Sequence, residues 1–177
     1  YFSSALVSKD ELKGILGGCF SPHYFPIELV ENLTHIQYLE FEDAAKIIKS
    51  NCEITSINLR HPGGASGYIF ETNKGKFSYL LDHEYDDESA LEIINASKKS
   101  DLIIWDGMFT PEELSMRKGW GHSSIAQGND FLIKSDSKKM GISHHSPYRN
   151  DKDMTNLEKS FTNQNLFLAK EGQTIKF

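Results

Sequence analysis

A chain of 177 residues with 38% hydrophobic content can bury one core and is too short for two full domains of ordinary size, so we expect a single domain spanning 1–177. The net charge of −6 disfavours a general nucleic-acid-binding surface, and no apolar run approaches the roughly 20 residues that a membrane span requires. Two cysteines without metal-ligand spacing exclude a disulfide scaffold and fit a reducing compartment. We therefore predict a cytoplasmic protein.

The predicted elements alternate between helices and strands. The spacing of Ser8 and Glu11 predicts a capping box that begins a helix, and Gly17-Gly18 predicts its end. The later elements are a strand over 52–61, a hairpin of 67–72 and 75–82, a helix over 86–98 begun by Asp86 or Asp87, a strand over 101–106, a helix begun by Thr110, a helix over 123–134, a strand over 138–144, a helix carrying Met154, Leu157 and Phe161, and a closing hairpin of 166–169 and 174–177. This alternation is typical of an α/β fold.

Three side chains that can bind a metal follow predicted strands. His61 ends the first strand, Asp82 ends the first hairpin, and His144 ends the strand over 138–144. In α/β sheets, sites are built just beyond the carboxyl ends of strands. Imidazole and carboxylate ligands suit zinc, manganese or iron, and a carboxylate can bridge two cations. Taken singly, each residue has a commoner explanation as a structural histidine or a turn aspartate.

Four segments around these residues occur in the order found in one known family. They are His61-Pro-Gly-Gly-Ala-Ser-Gly-Tyr68, Leu80-Leu-Asp82, residues 103–113 with 119–124, and Ile142-Ser-His-His-Ser-Pro147. Together they resemble the metallo-β-lactamase superfamily, in particular its ribonuclease Z and phosphodiesterase-like branch. The resemblance runs from 21–26 to Arg149, which is most of the chain. It implies an α/β fold of the metallo-β-lactamase type, an αββα sandwich that is incomplete at its amino-terminal side.

The resemblance also implies a two-metal site. In it, His61 is a ligand of one cation, Asp82 bridges the two cations, and His144 is a ligand of the other. His145 is a neighbour behind these ligands or an alternative ligand. The expected cofactors are two divalent metal ions, zinc first, with manganese or iron as alternatives.

A general acid is implied by the same resemblance. His122 would lie over the site and protonate a leaving oxygen, and Asp106 would orient its ring. The pairing is chemically reasonable, because a carboxylate that accepts the imidazole N–H fixes the tautomer and favours the protonated ring. Structural explanations remain open for both residues: Asp106 could cap the next turn, and His122 could belong to the N-cap region of a helix.

One motif of the family does not occur in these residues. His-x-His-x-Asp-His, which supplies most of the metal ligands in that family, is nowhere in the sequence. His61, Asp82 and His144 alone would give each cation about two protein ligands, below the three or four that hold zinc. We expect the motif upstream of Tyr1, so that these residues form the carboxy-terminal portion of the domain. By themselves they would be inactive and would form a homo-oligomer through exposed apolar faces and an unpaired strand edge.

The favoured function is a metal-dependent hydrolase. Its expected substrate is a small-molecule or nucleotide-type phosphodiester rather than structured RNA, because no basic arm is visible. Two alternatives stay open: a lactone or thioester hydrolase that uses the same site, and a non-catalytic binding module if no upstream metal motif exists. The hydrolase hypothesis requires the donor atoms of His61, Asp82 and His144 to lie within about 8 Å of one another, with His122 at the rim.

Overall fold

The structure is a computed structural model, and it describes residues 1–26, 35–48, 52–86 and 90–176. None of the helices in these ranges has the length and apolar character that crossing a bilayer demands.

The backbone contacts divide the chain into two compact units, Tyr1–Cys52 and Glu53–Phe177. The prediction of a single domain over 1–177 stays a prediction.

The first unit contains helices α1 (Lys9–Cys19) and α2 (Phe41–Ile48). The predicted capping box begins α1, because the Ser8 hydroxyl accepts the Glu11 N–H at 3.3 Å and the Glu11 carboxylate accepts the Ser8 N–H at 3.0 Å. The predicted end at Gly17-Gly18 is wrong. Neither glycine adopts the left-handed conformation that ends a helix, and α1 continues to Cys19.

The second unit is organised around the sheet. Its elements are β1 (Cys52–Leu59), β2 (Ala65–Thr72), β3 (Gly75–Leu80), α3 (Ala90–Ser97), β4 (Leu102–Asp106), α4 (Pro111–Ser115), α5 (Ile125–Lys134), β5 (Met140–Ser143), α6 (Asp151–Lys159) and β6 (Leu166–Leu168). The strands lie side by side in the order β1-β2-β3-β4-β5-β6. β2 and β3 form the predicted antiparallel hairpin. The neighbouring pairs β3–β4, β4–β5 and β5–β6 are parallel.

A continuous core lies where α5 packs on the middle of the sheet. β4 is buried on both faces, and its Trp105 is fully buried. The Trp105 ring lies 4.8 Å from the ring of Phe131, a fully buried residue of α5. The predicted stripe of Met154, Leu157 and Phe161 packs against the edge of this core. These contacts fix the strand ends that carry the candidate site.

Several predicted boundaries differ from the structure, mostly by one or two residues at the ends of strands. The helix predicted over 86–98 is α3, and Asp86 precedes it without being helical; the alternative first residue, Asp87, lies outside the described residues. The closing hairpin is wrong over its described part. The turn at Glu171-Gly172 does form, but residues 174–176 are not a strand, and β6 instead pairs in parallel with β5.

Candidate metal centre

The ends of β3, β4 and β5 meet at one edge of the sheet. These strands are parallel neighbours, and Asp106, the last residue of β4, lies opposite Ser143, the last residue of β5. Asp82 follows β3 by two residues and His144 follows β5 directly. The three strand ends therefore deliver two carboxylates and an imidazole to the same place, which is where α/β sheets build their sites.

The structure brings the three predicted metal ligands together. Nε2 of His61 lies 3.8 Å from Oδ1 of Asp82, and Nε2 of His144 lies 3.5 Å from the same oxygen. The Asp82 side chain is 50% exposed, whereas the side chains of His61 and His144 are 25% and 28% exposed. The donor atoms therefore face a solvent-accessible cleft, where a cation from solution could reach them.

The backbone at two of these residues has an unusual conformation. Asp82 has a φ of 52° and His144 a φ of 54°, in the left-handed region that most side chains avoid. Such conformations tend to occur at functional sites, where the surrounding structure imposes them. Two candidate ligands from different strands thus share one strained geometry. Composition and periodicity gave no sign of it.

Asp106 and His122 form a hydrogen-bonded pair. Nδ1 of His122 lies 2.8 Å from Oδ2 of Asp106, whose side chain is completely buried. The same carboxylate accepts the backbone N–H of His83 at 3.1 Å and that of Met108 at 3.2 Å. Asp106 therefore caps the turn after β4 and holds the His122 ring as well. His122 is not an N-cap residue; that position of α5 belongs to Ser124.

The acid pair and two of the three predicted metal ligands form one cluster, which does not include His61. One donor atom each of Asp82, Asp106, His122 and His144 lies within 4.8 Å of the others, a spacing that could hold a metal ion. The His122 ring is 4.8 Å from the His144 ring and 5.5 Å from the His61 ring, centroid to centroid. The edge of the sheet thus places the predicted acid directly beside the predicted ligands.

Two solved structures share this architecture. Human tRNase Z, short form, is 17% identical with a TM-score of 0.58, over 72% of this chain and 44% of that chain. The metallo-β-lactamase fold protein YhfI from Bacillus subtilis is 16% identical with a TM-score of 0.61, over 79% of this chain and 56% of that chain. The chain has a metallo-β-lactamase fold. The predicted fold is confirmed, and the chain spans about half the length of the structures it matches. No protein-family model matches the sequence, and no curated protein matches it.

Within this metallo-β-lactamase fold, a buried carboxylate holds the loop that carries His122. Glu84 is 8% exposed and accepts the backbone N–H groups of Gly119 at 2.8 Å and Gly121 at 2.9 Å. Ser123 bonds the same segment, donating to the His83 carbonyl. Sequence reasoning missed Glu84, because nothing in the spacing places it beside a loop 35 residues away.

Gly121 forms the surface on which His61 rests. A Cβ at this position would lie 2.3 Å from Cδ2 of the His61 ring, and Gly121 has a φ of 90°. Only glycine allows both the close approach and the backbone conformation. The position of a candidate ligand therefore depends on the loop that carries the candidate acid.

The remaining two histidines of this region are neighbours of the donor cluster and not part of it. His83 is fully buried against the Trp105 ring, and burial, opposed by the Asp86 charge, lowers its pKa to about 4. Burial is also the main cause that lowers the pKa of His145, followed by the charge of Arg149. His145, like His61, lies outside the group of four donors found in the described residues. Its predicted place as a neighbour or alternative ligand stays a prediction.

The donors fit a divalent metal ion. Imidazole nitrogen and carboxylate oxygen are the ligands that zinc, manganese and iron share. The strained conformations of Asp82 and His144 bring these donors to one point, and half of the Asp82 carboxylate side chain is open to solvent. The arrangement can bind a cation next to a histidine whose second nitrogen remains available for proton transfer.

Proposed function

We propose that this protein is a metal-dependent hydrolase that cleaves a phosphodiester, with His122 as the general acid. The observation that carries the proposal is the buried Asp106–His122 pair, which lies within 4.8 Å of the donor atoms of Asp82 and His144. A proton donor oriented by a buried carboxylate beside metal ligands is an arrangement suited to hydrolysis.

His61, Asp82 and His144 would hold the divalent ions, with zinc as the first expectation and manganese or iron as alternatives. Such ions lower the pKa of a coordinated water and polarise the oxygen of the bond under attack. Further ligands are expected from the His-x-His-x-Asp-His motif that these residues lack, because zinc sites use three or four protein ligands.

In this reaction the residues of the chain orient the His122 ring and supply the proton for the leaving oxygen. His122 donates from Nδ1 to Asp106, which leaves Nε2 to carry the proton for the leaving oxygen. The oxygen of water bonds to phosphorus, the bond to the leaving alcohol breaks, and the proton on Nε2 passes to the released oxygen. The products are a phosphomonoester and an alcohol, and the proton lost by water restores the ring.

A phosphodiester is preferred over a carbonyl substrate because the similar human structure is a tRNase by name. A small or nucleotide-type phosphodiester is preferred over structured RNA, because the net charge of −6 opposes a long polyanion.

The test uses the complete gene product that contains these residues, analysed for bound metal and assayed with bis(p-nitrophenyl) phosphate. We expect His122→Gln to lower kcat by about 100- to 10,000-fold with its metal retained. Asp82→Asn should lose metal and activity together. His35→Gln is the control, because His35 is an exposed histidine outside the site.

Three outcomes contradict the proposal. Bound metal without phosphodiester turnover would favour the lactone or thioester alternative. Absence of both metal and turnover would favour a binding module. Full activity in His122→Gln would remove the assigned acid.

A further inference from the structure

A cavity of about 570 Å³ opens on the His122 side of the site. Its walls include His122, Trp120, Phe109, Arg117 and Tyr148. The metal-ligand side chains His61, Asp82 and His144 line a different cleft, of about 540 Å³. His122 therefore lies between the cleft lined by the proposed metal ligands and a second cavity whose wall is partly aromatic.

Trp120 is an exposed aromatic side chain on a well-supported loop. It is 61% exposed and lies two residues before His122. The glycines on either side of it donate their N–H groups to the buried Glu84 carboxylate, and its own N–H donates to the Arg117 carbonyl at 3.2 Å. A tryptophan that is exposed while its backbone is held on both sides is suited to contact a flat ligand, since aromatic side chains supply contact area at little cost in conformational entropy.

Arg117 brings a positive charge to the same wall. Its guanidinium carbon lies 5.4 Å from the centre of the Phe109 ring and 5.9 Å from that of Trp120. In the described residues its guanidinium donates one hydrogen bond, to the Glu113 carbonyl, and takes part in no ion pair. Arg149, in the same cavity, is instead paired with the Glu113 carboxylate. Arg117 is thus the arginine of this cavity that can turn N–H groups toward a ligand.

We propose that this cavity receives the leaving alcohol of the phosphodiester, and that this alcohol carries a nucleobase-type aromatic ring which stacks on Trp120. The inference rests on the proposed function, because a leaving group must extend from the acid that protonates its oxygen. The walls of the cavity include His122, Trp120 and Tyr148, and Tyr148 is 92% exposed and offers a second aromatic surface. Arg117 would bond to the polar edge of the base. Aliphatic leaving groups would leave these surfaces uncovered.

The test compares adenosine 5′-monophosphate with ribose 5-phosphate, which differ only by the base. Calorimetric titration of the metal-loaded complete gene product should show the nucleotide binding about 5- to 150-fold tighter, because stacking of one base on an aromatic side chain has about this effect. Fluorescence provides a second readout. Of the two tryptophans Trp105 is fully buried, so quenching by the nucleotide but not by the sugar phosphate reports on Trp120.

Variants separate stacking from phosphate binding. Trp120→Ala should weaken nucleotide binding by about 5- to 150-fold and leave ribose 5-phosphate unchanged, whereas Trp120→Phe should keep most of the affinity. Ile133→Ala is the matched control, since Ile133 is a 66% exposed apolar residue of α5 outside the cavity.

Two results overturn the inference: equal affinity of the wild-type protein for the two ligands, or an equal loss of both ligands in Trp120→Ala. Failure of the proposed function looks different. In that case base-dependent binding persists while bis(p-nitrophenyl) phosphate is not hydrolysed, and the stacking surface belongs to a nucleotide-binding site without this activity.

Discussion

The candidate site has two sides that are held in different ways. On the acid side, Asp106 and His83 are fully buried, and hydrogen bonds fix Asp106 at both of its oxygens. On the cation side, the Asp82 side chain is half exposed, and its neighbours His61 and His144 approach it to 3.8 and 3.5 Å. The change from one environment to the other occurs between the consecutive residues 82 and 83.

This difference shows which side of the site is held in place by contacts within the protein alone. Burial and hydrogen bonds set the acid side whether or not a cation is present. The cation side relies on left-handed backbone at Asp82 and His144 to bring its donors together, and under the proposed function it would be complete only with the ion. Removal of metal should therefore disturb the cation side and leave the acid side in place.

The largest expected effect tests the acid side. Asp106→Asn removes the charged hydrogen-bond acceptor that orients the His122 ring, so we expect kcat toward bis(p-nitrophenyl) phosphate to fall by about 100- to 10,000-fold. Metal content should not change. Asp10→Asn, at an exposed position of α1, is the control. Loss of metal together with activity would show that the two sides are not separable.

Acid should destabilise the buried side through His83. Burial lowers the pKa of His83 from its ordinary 6.5 to about 4, so the unfolded chain binds a proton that the folded chain resists between these values. Stability is therefore complete above pH 6.5 and falls as the pH drops toward 4, by about 2 kcal/mol between pH 7.5 and 5.

Urea unfolding with a metal chelator present measures this dependence. The His83→Phe variant should not show this pH dependence, because it has no imidazole to protonate. The substitution removes no hydrogen bond, since neither His83 ring nitrogen has a partner in the described residues. An unchanged pH dependence in the variant would assign the effect to another group.

A pair of glycine variants tests the contact between the two sides. Gly121→Ala places a methyl group 2.3 Å from the His61 ring, whereas Gly119→Ala meets nothing within 4 Å at a similar φ of 86°. Both variants should lose about 1–3 kcal/mol from backbone strain. Only Gly121→Ala should also weaken zinc binding, by about 10- to 100-fold, because displacement of a ligand's support has effects of this size. Equal zinc affinities in the two variants would contradict a role for the glycine beneath His61.

The smallest expected effect concerns the support of the acid loop. Glu84→Gln replaces a carboxylate that accepts two N–H groups by an amide that can satisfy one, so we expect about 1–2 kcal/mol of lost stability and about a tenfold lower kcat. Hydrogen exchange at Gly119 and Gly121 should accelerate. Glu92→Gln, on the exposed side of α3, provides the comparison. Unaltered exchange would show that the loop is held by other contacts.

Local patterns predicted the elements and the positions of the three proposed ligands. The capping box at Ser8, the helix begun by Thr110 and the strand over 101–106 rest on short-range signals, and the structure confirms each of them. The closing hairpin was wrong for an equally physical reason. The turn at Gly172 forms, but a turn does not by itself specify strand pairing: β5 occupies one edge of β6, and no strand of the described residues pairs with the other edge.

The supports of the site could not be predicted from one sequence. Glu84 and Gly121 act through contacts with residues 35 and 60 positions away, and no periodicity records such distances. The left-handed conformation of Asp82 and His144 is imposed by the surroundings, since neither residue type requires it. Patterns thus indicate which side chains can do chemistry, while their supports appear only in three dimensions.

The proposed chemistry depends on the register of the parallel strands β3, β4 and β5. Asp106 and Ser143 end their strands opposite each other, so His144, the next residue after Ser143, lies beside the Asp106 carboxylate. A slip of one residue between these strands would exchange His144 for His145 at the edge of the sheet and turn its ring to the other face. A single inserted residue in one of these strands would therefore dismantle the site.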